Sequence, residues 1–302
     1  MPEKESVIYL NGSFVAEEQA KISVFDRCFL YGDGIFEGIS VFNGVPFKLE
    51  AHLSRMNKGL SYLCIENPLT SEEWTKAIIE TIQQNDMDEG YLRPQVSRGE
   101  GLSSTKWKPE DLKKPRPNVV ILPEKGLIYG EAMQVGLRAK VLSRPRIPST
   151  CIPASTKHCN YLDSVMGAIE VSASGMDVGI ALDGNGFVTE GIAYNLFIVR
   201  DRALYTPPLI RDLLPGITRQ VIIEISRRAG YTVDETDFDV FAMCSADEVF
   251  LSSSLRLGGP IVEIDGRLIG DGNPGPVTKN VGELLLAEMK NEAKAFYRQS
   301  EK

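Results

Sequence analysis

Lys157 is the residue whose type and neighbours first suggest chemistry. It lies in the segment PASTKHCNYLDS, residues 153–164, beside a histidine, a cysteine, an asparagine and a tyrosine that could line a polar pocket. Most lysines lie on solvated surfaces, so Lys157 taken alone is more often a surface residue than a reactive one. A partly buried lysine is easier to deprotonate, however, and its neutral amine can form a Schiff base with an aldehyde.

A lysine of this kind can hold pyridoxal phosphate, which needs three further partners. They are a carboxylate at the ring nitrogen, a hydrogen bond at the phenolic oxygen and an anion site for the phosphate. Glu190, within GFVTEGIAYNLFIV, is predicted at the end of a strand and could supply the carboxylate. Ile217 and Thr218, within LLPGITRQ, are predicted at the start of a helix, where free N–H groups and the helix dipole bind phosphate.

Two further residues complete this candidate set. Tyr161 follows Lys157 by four residues, so we expect it about one helical turn further on, within reach of the phenolic oxygen. Arg55, in a predicted helix, could provide a second contact to the phosphate. Each signal is weak alone, because a glutamate in a turn is usually solvated, a Gly-Ile-Thr segment is usually a plain helix cap, and His158 is more often structural than basic. Their order and spacing carry the prediction.

The composition is typical of a globular protein with two domains. The 302 residues exceed one compact core of typical size, and 43% of them are hydrophobic and 25% charged. A net charge of −8 gives no basic surface, so nucleic acid is not expected as a partner. The chain has five cysteines without a Cys-x-x-Cys pair and only two histidines, so no metal site is expected. The odd number of cysteines favours reduced thiols, which are typical of a cytoplasmic protein. No apolar signal core or run of 18 apolar residues occurs, so no membrane partner is expected.

The order of predicted elements indicates an α+β fold. Asn-Gly pairs at 11–12 and 43–44 predict two β-hairpins, and helical spacing of apolar residues predicts helices over LEAHLSRMNKGLSYL and over SEEWTKAIIETIQQN, the second opening at Ser71. A long polar loop follows EGYLRPQVSRG, and its composition suits a mobile segment over a site. We predict a small α/β domain over 1–125, a linker over 126–135 and a large cofactor-binding domain over 136–302.

Seven stretches in a fixed order make the chain resemble a known family. They are FDRCFLYGDGIFEGI, HLSRM, YLRPQVSRG, STKHCNYLDSV, ALDGNGFVTEGIAYNLFIV, LLPGITRQ and ADEVFLSSS. Together they resemble the class IV, or fold type IV, pyridoxal-phosphate aminotransferases, over nearly the whole chain. The resemblance implies a two-domain α+β fold with a small α/β domain and a larger domain built on a β-barrel-like core. It also implies a homodimer in which a second subunit contributes a loop.

The resemblance also implies a role for each candidate residue. Lys157 would hold the cofactor as a Schiff base and move a proton between the substrate α-carbon and the cofactor. Glu190 would face the pyridine nitrogen, and Tyr161 would lie near the phenolic oxygen. The phosphate would be bound by a group of five residues: Arg55, Ile217, Thr218, Ser254 and Leu255.

Four residues bear on the substrate. Tyr91 and Arg93 resemble the Tyr-x-Arg motif of branched-chain aminotransferases, and Tyr31 and Phe36 match aromatic pocket positions of those enzymes. The D-amino acid aminotransferases of the bacillus type carry an Arg-x-His carboxylate trap. That trap is missing here, because serine and threonine stand at positions 103 and 105.

The turn SSSLRLGG departs from the branched-chain pattern. Branched-chain enzymes usually carry a GTAAE turn whose backbone N–H groups hold the substrate carboxylate, whereas this chain places Arg256 in that turn. The guanidinium could bind a carboxylate with two parallel hydrogen bonds, or it could point to solvent. The departure leaves the preference for L-branched-chain substrates open.

These observations predict a pyridoxal-phosphate transaminase that moves an amino group between an amino acid and a 2-oxo acid, with a slight preference for branched-chain-like substrates. D-amino acids or (R)-amines are the alternative substrates. A lyase on the same cofactor, similar to aminodeoxychorismate lyase, and a cofactor-free binding protein with the same fold are the competing hypotheses.

Overall fold

The structure is a computed structural model, and it describes residues 6–100, 116–126 and 136–300. The chain divides into two compact units. Unit 1 contains Met1–Leu127, Thr156–Tyr161 and Glu292–Lys302, and unit 2 contains Ile128–Ser155 and Leu162–Asn291. The predicted division at residues 125 and 136 differs from these units, because two later segments of the chain belong to unit 1. Apart from Gly126, the predicted linker lies outside the described residues, as do positions 103 and 105 and most of the predicted polar loop.

Unit 1 is built on a seven-stranded sheet in the order β2-β1-β7-β6-β4-β5, with β3 pairing with β6. Its strands are β1 Val7–Leu10, β2 Ser13–Ala16, β3 Gly34–Phe36, β4 Ile39–Phe42, β5 Val45–Pro46, β6 Gly90–Ser97 and β7 Asn118–Lys125. Both predicted hairpins are present, β1–β2 and β4–β5. Each turn places its asparagine and its glycine at positive φ, the conformation that Asn-Gly pairs favour.

Among the described residues, three α-helices accompany this sheet: α1 Arg27–Tyr31, α2 Leu49–Tyr62 and α3 Ser71–Gln84. Apolar residues of α2 and α3 share one buried cluster with the sheet, in which Met56 and Ile78 are fully buried. The sequence predicted that α3 opens at Ser71, and Ser71 is its first helical residue. The residue that caps the helix, however, is Thr70. Thr70 Oγ1 accepts from Glu73 N while the Glu73 carboxylate accepts from Thr70 N, a reciprocal pair that Ser71 cannot make.

Unit 2 is built on a nine-stranded sheet in the order β10-β9-β8-β15-β14-β11-β12-β13, with β16 on β15. Its strands are β8 Leu137–Val141, β9 Val178–Leu182, β10 Val188–Gly191, β11 Asn195–Arg200, β12 Ala203–Thr206, β13 Val233–Glu235, β14 Glu248–Ser252, β15 Gly259–Ile264 and β16 Arg267–Leu268. The strands β11, β14 and β15 are nearly continuous apolar runs, and their buried side chains form the core of this unit.

In the part of the chain that the structure describes, four further α-helices follow in chain order: α4 Leu162–Ser174, α5 Ile217–Arg228, α6 Val240–Cys244 and α7 Pro276–Ser300. The predicted C-terminal helix is present, and it begins before the apolar stretch that indicated it. The buried Glu248 carboxylate accepts hydrogen bonds from the N–H groups of Val277 and Thr278, so a residue distant in sequence caps α7.

Candidate functional site

Lys157 lies on an extended segment that is bonded to β3. Phe36 N donates to Lys157 O at 3.0 Å, and Cys159 N donates to Gly34 O at 2.9 Å, so His158 pairs with Ile35 in an antiparallel bridge. The predicted helical turn between Lys157 and Tyr161 is therefore wrong. The backbone groups that a helix would use are taken by β3, and α4 begins only at Leu162.

The ring of Phe36 brings three of the predicted residues together. This ring is 3% exposed, and Lys157 Nζ lies 4.6 Å from its centroid. The guanidinium carbon of Arg93 lies 3.7 Å from the same centroid, and the Tyr161 ring meets it edge to face at 5.3 Å. Cations near an aromatic face are attracted by its quadrupole, which favours this position of both charged groups. Tyr161 is thus close to Lys157 through a shared aromatic neighbour instead of a helical repeat.

Tyr91 packs directly against Gly38, which separates β3 from β4. A Cβ atom at Gly38 would lie 2.4 Å from the Tyr91 hydroxyl oxygen, so only glycine leaves room for the phenol. Burial raises the pKa of Tyr91 to about 12. The phenol is therefore neutral at ordinary pH and keeps its proton for donation. Tyr31, the last residue of α1, is half-buried with the Arg27 guanidinium 5.1 Å from its ring centroid.

Arg55 on α2 is anchored by a carboxylate that sequence reasoning did not single out. Glu37 lies between β3 and β4 with a fully buried carboxylate, and it accepts from Arg55 Nε at 2.8 Å and from Arg55 Nη2 at 2.6 Å. His52, one turn earlier on α2, lies with Nδ1 2.8 Å from the same carboxylate. The two-point contact fixes the plane of the guanidinium.

Glu190 lies near the end of β10, as predicted, and it is buried instead of solvated. Arg146 Nη2 donates to Glu190 Oε1 at 2.6 Å. The other oxygen, Oε2, accepts from Leu214 N at 3.0 Å and from Asn195 Nδ2 at 3.3 Å. These three donors compensate the cost of burying a carboxylate. Arg146 carries no motif signal, because it stands in an irregular proline-rich segment, and the sequence analysis missed it.

Ile217 and Thr218 are the first two residues of α5, as predicted, and Thr218 is buried. The helix is preceded by Gly216. Among the described residues no side chain caps this end, and its first turn contains no acidic residue. A side chain at Gly216 would collide with Asn195, since its Cβ would lie 1.9 Å from Asn195 Oδ1. The N–H groups of this turn are thus available for an external anion.

Ser254, Leu255 and Arg256 form a turn after β14. Ser253 N donates to Arg256 O at 3.0 Å, and Arg256 N donates to the Ser253 hydroxyl at 2.9 Å, which closes the turn. Ser254 is half-buried, whereas Leu255 and Arg256 are exposed. The buried hydroxyl of Ser252, two residues earlier, has no hydrogen-bond partner among the described residues.

Neither a metal cluster nor a spanning helix is present in the described ranges. No group of three or more histidine, cysteine, aspartate or glutamate side chains there could hold a metal ion. No helix in residues 6–100, 116–126 and 136–300 is long and apolar enough to cross a membrane. All five cysteines are free thiols.

Comparison with known proteins identifies the family. The model of the family described as amino-transferase class IV matches residues 34–264. A Methanocaldococcus jannaschii protein, provisionally named a branched-chain-amino-acid aminotransferase, is 39% identical over 91% of this chain and 94% of its own. The branched-chain-amino-acid aminotransferase of Escherichia coli strain K12 is 31% identical over 94% of this chain and 93% of its own.

A solved structure agrees with these sequence comparisons. The branched-chain aminotransferase of the thermophilic archaeon Thermoproteus uzoniensis, solved with norvaline, has a TM-score of 0.86 and 32% identity, covering 96% of this chain and 97% of its own. The predicted α+β, fold type IV architecture is therefore confirmed. The chain belongs to the class IV aminotransferases, the pyridoxal-phosphate-dependent family that its motifs predicted.

Proposed function

We propose that this aminotransferase moves an amino group between branched-chain-like amino acids and 2-oxo acids, with Lys157 as its catalytic residue. The observation that carries the proposal is the position of Lys157, whose backbone is bonded to β3 on both sides of His158 and whose amine lies over Phe36. This arrangement fixes one lysine beside the aromatic ring of Phe36, which Tyr161 also contacts. The names of the relatives supply the substrate class.

The described residues fit pyridoxal phosphate. The first turn of α5 offers N–H groups without a capping side chain in the described residues, which suits a phosphate. Arg55 is fixed in orientation by Glu37, and Ser254 offers a hydroxyl in the turn after β14. We assign the phosphate to Arg55, Ile217, Thr218, Ser254 and the backbone of Leu255. Glu190 supplies an anionic partner for the ring nitrogen, and Tyr161 supplies the phenolic hydrogen bond.

When bound, the cofactor supplies an electron sink for the carbon that loses its proton. With the cofactor bound, Lys157 Nζ would act as the general base at the substrate α-carbon and then as the general acid. The Glu190 carboxylate holds a proton on the ring nitrogen. Phe36 and Tyr31 exclude water around the substrate side chain, and the neutral Tyr91 phenol can donate to the substrate carboxylate.

Arg93 is the candidate for a second carboxylate. Its guanidinium is held against Phe36 at 3.7 Å, and its Nε donates to Gln95 Oε1 at 3.1 Å. An arginine fixed in this way can donate hydrogen bonds to the acidic side chain of an amino-acid substrate. Arg256, which is exposed in its turn, is the candidate partner of the α-carboxylate.

A homodimer in the cytoplasm is part of the proposal. Four large apolar side chains of α4 are exposed at the spacing of one helix face: Leu162, Val165, Met166 and Ile169. Phe25 and Phe29 are exposed in the segment before β3. Apolar surface of this kind supports association with a second copy, and five free thiols fit a reducing compartment.

The test is a substrate screen in half-reactions, with both enantiomers of leucine, valine and alanine, L-glutamate and a primary (R)-amine. The expected result is loss of the cofactor's visible absorbance with L-leucine, L-valine and L-glutamate, and its recovery when a 2-oxo acid is added. Conversion confined to D-amino acids or the amine would refute the branched-chain assignment. Pyruvate release without an amino acceptor would refute transamination in favour of a lyase.

A further inference from the structure

We propose that Arg146 is a positioning residue, which holds the Glu190 carboxylate ionised and correctly oriented. The inference rests on the proposed function, in which Glu190 faces the ring nitrogen of the cofactor. It extends that proposal to a residue outside every motif that identified the site. The residues that carry it all belong to unit 2.

The contact between Arg146 and Glu190 is direct and mostly shielded from water. Arg146 Nη2 donates to Glu190 Oε1 at 2.6 Å, and the two side chains are 19% and 5% exposed. Glu190 Oε2 accepts from Leu214 N and Asn195 Nδ2 on the other side. Both carboxylate oxygens therefore have donors, and the donor to Oε1 carries a full positive charge.

Arg146 is itself held at two points. Its backbone N–H group donates to Leu182 O at 2.8 Å, which ties the segment after β8 to the last residue of β9. Its Nη1 donates to Asp163 Oδ2 at 3.2 Å, in the first turn of α4. Pro145 precedes Arg146 and fixes the backbone just before it. The guanidinium thus bridges two carboxylates from a rigid support.

The charges of Arg146, Glu190 and Asp163 together indicate how this group can act on the cofactor. Glu190 and Asp163 contribute two negative charges and Arg146 one positive charge, so one negative charge remains. An arginine at 2.6 Å favours the carboxylate form of buried Glu190. Asp163 offsets part of the guanidinium charge, so the group as a whole can still stabilise a protonated ring nitrogen. Without Arg146, Glu190 would lose a charge-assisted donor to Oε1 and the positive charge beside its carboxylate.

The experiment uses five full-length variants loaded with pyridoxal phosphate: Arg146→Met, Arg146→Lys, Glu190→Gln, the double variant of Arg146→Met with Glu190→Gln, and Arg138→Met. The last is the control, because Arg138 forms an exposed pair with Asp177 in the same unit. For each variant we would measure the dissociation constant of pyridoxal phosphate, the pH midpoint of the cofactor's absorbance change and the thermal midpoint of unfolding.

We expect Arg146→Met to weaken cofactor binding about tenfold, the effect of losing one charge-assisted hydrogen bond. It should move the absorbance midpoint in the same direction as Glu190→Gln, and Arg146→Lys should restore part of both changes. In the Glu190→Gln background, Arg146→Met should change the dissociation constant less than about twofold, because its effect passes through Glu190. Arg138→Met should leave both the dissociation constant and the absorbance midpoint unchanged.

Three outcomes separate the possible failures. If Arg146→Met acts equally with and without Glu190, or resembles Arg138→Met, the positioning role is refuted while the proposed function stands. If Arg146→Met fails to fold, Arg146→Lys decides, and unchanged values for that variant would refute the role of the planar guanidinium. If borohydride reduction leaves no cofactor on Lys157 in the parent enzyme, the proposed function itself fails, and this inference fails with it.

Discussion

Glu37→Gln should remove a pH dependence of stability that the parent protein shows in acid. The Glu37 carboxylate is completely buried and accepts from Arg55 at two points, with His52 Nδ1 2.8 Å away. Burial by itself raises the pKa of Glu37, but the charge and hydrogen bonds of Arg55, with those of His52, lower it from the ordinary value of 4.5 to about 2.

The difference between the ordinary and the folded-state pKa of Glu37 sets the size of its contribution to stability. Each pKa unit corresponds to about 1.4 kcal/mol, so ionised Glu37 contributes on the order of 3 kcal/mol to the free energy of unfolding. Because the pKa is lower in the folded state, the contribution is complete above about pH 4.5. It is lost progressively as the pH falls towards about 2. In Glu37→Gln the amide does not titrate, and the loss of the carboxylate beside Arg55 should lower stability at neutral pH by about 3 kcal/mol or more.

The assay is urea unfolding followed by circular dichroism between about pH 7 and about pH 3, comparing the parent protein with Glu37→Gln. Glu80→Gln is the matched control, since the Glu80 side chain is 39% exposed and forms a pair of 3.8 Å with Lys76 on α3, for which less than about 0.5 kcal/mol is expected. The difference in stability between the parent and Glu37→Gln should shrink steadily below about pH 4.5. A difference that stays constant down to the most acid point would refute the assignment of the low pKa to Glu37.

Three further predictions concern the proposed chemistry. Lys157→Ala should abolish turnover and leave no borohydride-reducible cofactor on the protein, and peptide mapping that found the cofactor on another lysine would refute the site. Glu190→Gln should lower kcat by about tenfold to a hundredfold, the value of a charge-assisted contact made at the transition state, and an unchanged kcat would remove Glu190 from the ring nitrogen. Arg256→Ala should raise KM for amino acids and 2-oxo acids but hardly for a primary amine, with partial rescue by Arg256→Lys; equal small effects on both would return the carboxylate to backbone N–H groups and Tyr91.

Local signals predicted the elements well, because their causes are local. The Asn-Gly turns determine both hairpins through backbone conformation, and the apolar spacing of α2 and α3 reflects burial against one sheet. The conformation after Lys157 was predicted wrongly because it depends on β3, which lies far away in the sequence. No local pattern reports that a distant strand has an edge available.

The candidate site shows the same distinction. Glu190 and Thr218 lie where their strand end and helix start were predicted, because both are parts of local motifs. Arg146, Glu37 and His52 support the predicted residues through contacts between separate elements. Such supporting residues leave no spacing rule in a single sequence, so only the structure reveals them.

The pairing of Lys157 with β3 also determines the order in which the polypeptide can complete its fold during synthesis. Unit 1 needs Thr156–Tyr161 for the free edge of β3, and it needs the segment from Glu292 onward, where Lys48 and Glu292 form an ion pair of 2.9 Å. The ribosome synthesises Thr156–Tyr161 only after everything that precedes this segment in the chain. It releases the segment from Glu292 onward only after all of unit 2. Until then, the backbone groups of Gly34 and Phe36 on that edge stay open to strands of other chains. Lys157 is thus carried by a late-arriving segment, and the insertion of this segment closes an edge that would otherwise favour aggregation.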